Sequence, residues 1–146
     1  MHAIGEGVLL AEIQQTSDIT YRIYDWDRVT DSGEKRELHT DLAMEAIDLS
    51  HKNDFRIKYD ERKNQSSELF YNQYFKTNII ELDSEITRDY SDLDSFVILM
   101  GVEGKSIIKT DGNQVVLDQG ETMLVPACIS KISIESQNAK ILEVSV

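Results

Sequence analysis

From Leu69 to Val146 the chain is a succession of short β-prone runs separated by turn residues, and no feature constrains its fold more. The runs "FYNQYFKTNIIEL", "SFVILMG", "GKSIIKT", "QVVLD", "ETMLVPA", "SKISIES" and "KILEVSV" follow one another with Gly, Asp, Asn and Ser between them. Alternating apolar and polar residues suit strands with one buried face, and a nearly continuous apolar run suits a strand buried on both. The "DGN" between "GKSIIKT" and "QVVLD" predicts a tight hairpin, because Gly takes the positive φ that such turns need. Many short strands joined this way predict an antiparallel sandwich or barrel. Pro126, the sole proline, lacks an N–H for a ladder and belongs at a strand end or edge.

Upstream, Val8–Trp26 reads as a β-hairpin. Val8–Gln15 and Ile19–Trp26 are β-rich, and "TSD" at Thr16–Asp18 supplies a turn through side-chain bonds to nearby backbone. With the turn near Ser17, Glu12 would lie opposite Arg22, an ordinary cross-strand pair worth roughly 0.2–1 kcal/mol. Asp27–Arg36, with Gly33, reads as a surface loop, and its cations Arg28, Lys35 and Arg36 as solvated groups. "HTDLAMEAIDLS" predicts a short helix capped by Thr40 or Asp41, with Leu42, Ala46, Ile47 and Leu49 as its buried stripe. His51–Glu68 is highly charged and reads as a long connection with one edge strand around Phe55–Tyr59. The aromatics are expected to pack in the core or on strand faces, and Cys128 to be an inert buried thiol.

A length of 146 residues suits one domain. We therefore expect residues 1–146 to form one unit: a hairpin over 1–30, a loop, helix and connection over 31–68, and a small barrel over 69–146. The net charge of −12, from 27 acidic and 15 basic residues, repels phosphate backbones and anionic membranes, so neither nucleic acid nor membrane is an expected partner. No apolar run reaches the length of a membrane span. One cysteine allows no internal disulfide, and the first residues do not show the layout of a secretory signal, so the expected location is cytoplasmic.

The segments "HAIGEGVLLAEIQQTSDITYRIYDWDR" and "GEKRELHTDLAMEAIDL" resemble type I mannose-6-phosphate isomerase in its bacterial form. "SFVILMGVEGKSIIKTDGNQVVLDQGETMLVPA" is similar to the small cupin barrel of that family. The resemblance implies an all-β, cupin-like antiparallel jelly roll with one short helix. It implies a zinc-dependent aldose–ketose isomerase acting on a small sugar phosphate, with a glutamine, a glutamate and two histidines around the metal. By that match His2 is a zinc ligand, Arg22 the active-site arginine and Glu12 an acidic residue facing the substrate pocket.

The same resemblance implies that the other zinc ligands belong to an earlier part of the family's chain. Zinc takes four ligands, or three plus water. His39 and His51 supply neither a His-x-His nor a His-x-x-x-His pair. The expectation is thus a C-terminal portion carrying one corner of a metal site and inactive alone, with Met1 as an added start. A stand-alone, non-catalytic cupin-like module that binds a sugar or another protein is the alternative. Pairing of two copies through an exposed sheet edge is compatible with either.

Overall fold

The computed structural model describes residues 2–16, 19–50 and 54–146. The turn expected at Ser17–Asp18, the start at Met1 and the first residues of the connection from His51 lie outside the described residues. The chain divides into two compact units, Met1–Val8 with Glu12–Phe55, and Leu9–Ala11 with Arg56–Val146.

The second unit holds every strand: β1 (Ser66–Tyr71), β2 (Lys76–Leu82), β3 (Ile86–Asp89), β4 (Val97–Thr110), β5 (Asn113–Asp118), β6 (Thr122–Val125), β7 (Lys131–Glu135) and β8 (Ala139–Ser145). All pairings between them are antiparallel, in the order β1-β2-β8-β4-β7-β3, with β5 and β6 also on β4. The expected antiparallel β architecture is therefore present.

Strand β4 organises it. Its first half pairs with β6 and β8, its second half with β5 and β7, and a register shift falls between Gly101 and Glu103. A bulge bends a strand and raises its twist, which lets one strand serve two sheets. Gly104 follows the bulge at φ +71°, and a Cβ there would run into the Asn138 carbonyl. Gly104→Ala should cost about 2–3 kcal/mol, from a strained dihedral plus overpacking, read as a lowered denaturation midpoint with an unchanged m-value.

The "DGN" hairpin forms as expected, with Thr110 opposite Asn113 and Gly112 at φ +81°. "FYNQYFKTNIIEL" is two strands rather than one long one. The Asn72 side-chain oxygen accepts from the backbone N–H groups of Tyr74 (2.8 Å) and Phe75 (2.9 Å), closing a turn inside the run. Pro126 directly follows β6, and its carbonyl accepts from Ile129 N–H. Cys128, expected to be buried, is exposed, because it lies in the turn after β6 rather than within a strand. Between the sheets lie Ile80, Leu99, Leu117, Ile132, Ile134 and Ile141, all almost fully buried.

The first unit departs most from expectation. Its described residues contain no strand, and Val29–Lys35 is an isolated bridge. The hairpin expected over Val8–Trp26 is not formed, nor is the edge strand around Phe55–Tyr59. β-propensity is realised only where a neighbouring strand accepts the ladder. Helix α1 (Thr40–Ala46) does form, but His39 stands at its N-cap and Ala43 is its buried residue, while Leu42 and Leu49 are exposed. Seven residues make two turns, too few for the broad stripe expected. Among the described residues no helix is long and apolar enough to cross a membrane.

Candidate functional site

Arg22 is the sequence-predicted residue that the first unit holds most firmly. It is half-buried. Its backbone N–H donates to His39 Nδ1 (3.2 Å), its carbonyl accepts from His39 N–H (2.7 Å), and its Nη1 donates to the Glu37 carbonyl (3.0 Å). The segment entering α1 thus fixes Arg22 at the backbone and at one guanidinium nitrogen. A guanidinium has five N–H donors, and among the described residues one of those of Arg22 is bonded, to the Glu37 carbonyl.

Neighbouring charges shape the surroundings. Asp25 is buried and takes a two-pronged contact from Arg36, with Nε 2.7 Å from Oδ2 and Nη2 on Oδ1. The hydrogen bond from Arg36 holds the Asp25 carboxyl below the usual carboxylate range against the opposing effect of burial, with the charges of Arg36, Arg28 and Arg22 adding to it. Lys35 is paired with Asp27 at 2.7 Å. Two of the three loop cations are thus neutralised locally, which matches their reading as ordinary surface groups.

The other predicted residues are not brought to Arg22. Glu12 and His2 are exposed, and among the described residues no hydrogen bond or ion pair joins any two of His2, Glu12 and Arg22. The facing Glu12–Arg22 pair fails because it required the absent ladder. Nor do the described residues fit a zinc centre: no three of His, Cys, Asp and Glu are grouped to hold a metal. His39 Nδ1 is already an acceptor for the Arg22 N–H. His51 lies outside the described residues.

The barrel contains a polar cluster that sequence reasoning missed. Glu143 on β8 is 3% exposed, with Ile141 two residues before it in the core. In register, Asn78 of β2 and Leu99 of β4 flank Glu143 on the two neighbouring strands. Five donors converge on its carboxylate. Arg88 Nε and Nη2 lie at 2.8 and 2.9 Å, Tyr90 OH at 2.8 Å, Asn78 Nδ2 at 3.0 Å and Ser66 Oγ at 3.1 Å. Arg88 also sits 5.8 Å from the Tyr90 ring centroid. Burial alone would raise the Glu143 pKa, but the Arg88 hydrogen bonds and charge, with Asn78 and Tyr90, outweigh it and leave the acid below its ordinary value. Burial, reinforced by the Glu143 charge, pushes the Tyr90 phenol upward. The available signal was a lone Glu on the apolar face of "KILEVSV", matched by a lone Arg in "EITRDY". With its oxygens so fully engaged, this carboxylate ties strands of both sheets together rather than offering itself to a ligand.

Residues 66–146 match the family described as mannose-6-phosphate isomerase, cupin domain. The chain belongs to this family. The Bacillus subtilis protein YvyI, named for the same enzyme, is 31% identical over 137 residues, 92% of this chain and 43% of its own length. The mannose-6-phosphate isomerase of Streptococcus mutans is 49% identical over 49 residues, 34% of this chain and 16% of its own. The crystal structure of mannose 6-phosphate isomerase from Bacillus subtilis superposes with a TM-score of 0.70 at 25% identity, over 89% of this chain and 41% of that one. The cupin-like fold expected from the resemblance is thereby established. The chain spans less than half the length of these mannose-6-phosphate isomerase relatives.

Proposed function

We propose that this chain supplies the C-terminal part of a cytoplasmic, zinc-dependent aldose–ketose isomerase that interconverts mannose 6-phosphate and fructose 6-phosphate, and that it has no turnover by itself. The observation that carries the reading is its similarity to proteins named for that activity across nearly all of its own length but under half of theirs. That no three of His, Cys, Asp and Glu are grouped to hold a metal among the described residues supports the second half of the proposal. His2 is the donor this chain offers to the metal, and the remaining ligands come from the part of the enzyme these residues do not span.

Moving the sugar carbonyl between C1 and C2 removes a proton from one carbon and returns it to the other through an enediolate. Negative charge develops on the two oxygens in between. In this reading the Arg22 guanidinium, held at its backbone and at Nη1, donates to those oxygens and stabilises the charge with little reorganisation. Glu12 belongs to the substrate pocket in this reading. Zinc, were it held in the completed enzyme with His2 as one ligand, would supply Lewis-acid polarisation.

The test uses the purified chain. Elemental analysis after dialysis should find zinc well below one ion per chain, and titration calorimetry with mannose 6-phosphate should give no saturable heat. Stoichiometric zinc, or saturable sugar-phosphate binding, would instead support a self-sufficient sugar-binding module and displace this proposal.

A further inference from the structure

We infer that His39 is the positioning residue of Arg22: its imidazole, touching neither sugar nor metal, fixes the backbone from which the guanidinium reaches the reacting oxygens. The inference rests on the proposed function for the identity of those oxygens. His39 stands at the N-cap of α1, yet its side chain makes no capping hydrogen bond. Residues at that position ordinarily use their side chain to accept from the first helical N–H groups. Here the ring is turned to Arg22 instead. Its Nδ1 accepts the Arg22 backbone N–H at 3.2 Å, while the His39 N–H donates to the Arg22 carbonyl at 2.7 Å.

This is the bonding of an antiparallel residue pair with one carbonyl exchanged for an imidazole nitrogen. The exchange has a physical reason. The His39 carbonyl is directed into α1, where it accepts from the Ala43 N–H at 2.8 Å. The half-buried Arg22 N–H lies outside any ladder and needs another acceptor, which the ring supplies. An imidazole that accepts at Nδ1 carries its proton on Nε2, and Glu37 Oε2 lies 3.8 Å from that nitrogen. The Tyr21 ring is 6.5 Å from the imidazole, centre to centre. Glu37 holds Arg22 as well, its carbonyl accepting from Nη1 at 3.0 Å. Glu37 and His39 thus grip Arg22 at its N–H, its carbonyl and its guanidinium. The imidazole is the one side chain among these three holds, so it is the one that substitution removes cleanly. A donor to a developing oxyanion works only in the right place, and a shift of about 1 Å is enough to cost up to about a hundredfold in rate.

The experiment has two arms. On this chain alone, amide exchange at Arg22 is followed by nuclear magnetic resonance in the parent and in His39→Phe, which keeps a ring beside Tyr21 but offers no acceptor. Exchange at Arg22 should quicken by about tenfold or more, while the thermal transition of the barrel stays where it was. The second arm uses the chain fused to the region that Bacillus subtilis mannose 6-phosphate isomerase carries outside the match. There His39→Phe should lower kcat by about 10- to 100-fold, with KM and zinc content close to the parent's. In an Arg22→Ala background the same change should alter kcat by less than about twofold, because nothing is left for the imidazole to place. His39→Asn, whose side-chain oxygen can stand where Nδ1 stood, should recover part of both the rate and the protection. Unchanged exchange at Arg22 overturns the inference, as does parental turnover in the His39→Phe fusion. So does an equal loss of rate in both backgrounds, or a loss of zinc, which would make His39 a ligand. A parent fusion without turnover refutes the proposed function, and the exchange arm alone then decides whether His39 holds Arg22, so the two failures are distinguishable.

Discussion

Arg88→Met should destabilise the barrel by about 3–5 kcal/mol, because it leaves the Glu143 carboxylate buried without its countercharge. Arg88 contributes two of the five donors on that carboxylate, at 2.8 and 2.9 Å, and the only full positive charge among them. Chemical denaturation followed by far-ultraviolet circular dichroism would report the loss as a lower midpoint. Glu143→Leu alone strands Arg88 and the donors of Tyr90, Asn78 and Ser66, so it should also be costly. The double variant Arg88→Met with Glu143→Leu should lose less than the sum of the two, since both charges leave together. Strict additivity would show that the pair is not coupled.

The same cluster sets an acid limb. The Glu143 carboxyl is held below the ordinary glutamate value of 4.5 in the folded protein, so just below that pH the unfolded chain binds more protons than the folded one. Its stabilising contribution is present above about pH 4.5 and is lost as pH falls through the folded-state value. Glu143→Gln should flatten this limb relative to the parent. Asp89 acts in the same direction lower down, held at about 2 by the Ser91 hydroxyl, the Ser91 backbone N–H and Lys131. Unchanged acid sensitivity in the Glu143→Gln variant would remove Glu143 from the account.

The second large effect concerns turnover. In an enzyme that joins this chain to the region its relatives carry outside the match, Arg22→Ala should lower kcat by about 10²–10³, the loss expected when one preorganised donor to a developing oxyanion is removed. KM for mannose 6-phosphate and zinc content should change far less, because the guanidinium acts on charge that appears in the transition state. Arg22→Lys keeps the positive charge but loses the forked geometry, and should restore only part of the rate. Since the Arg22 backbone ties to His39 survive both substitutions, a folded protein is expected in each case. Turnover equal to the parent in the Ala variant would dismiss Arg22 from the chemistry.

The barrel was legible because its signals are local. Asp111-Gly112 demands a hairpin wherever it sits, and Pro126 can only close a strand. The union of "SFVILMG" and "GKSIIKT" into one 14-residue strand was harder to foresee. Gly101 and Gly104 look like turn residues in sequence, yet here they provide close approach to Asp118 and Asn138 at a bulge. Glu143 and Arg88 were missed for a related reason. Each is a single charge in an alternating strand, and only the pairing register and the opposite sheet reveal that the two meet.

The region carrying Arg22, Glu12 and His2 was legible by family resemblance, and its conformation was not. Alternation in Ile19–Trp26 records a demand for a covered face, but the residues that would meet it are not among those described in the first unit. Position along the chain could likewise not disclose that His39 would stand at the N-terminal end of α1 and accept the Arg22 N–H. That contact joins two segments seventeen residues apart.

Isomerase turnover, measured on this chain alone and on the chain fused to the complementary region of the Bacillus subtilis enzyme, tests the central proposal most directly. The expected result is conversion of mannose 6-phosphate to fructose 6-phosphate by the fusion, abolished by chelation and restored by zinc, with none from the chain alone. Turnover by the unfused chain, or a folded and zinc-loaded fusion that leaves the sugar untouched, would contradict it.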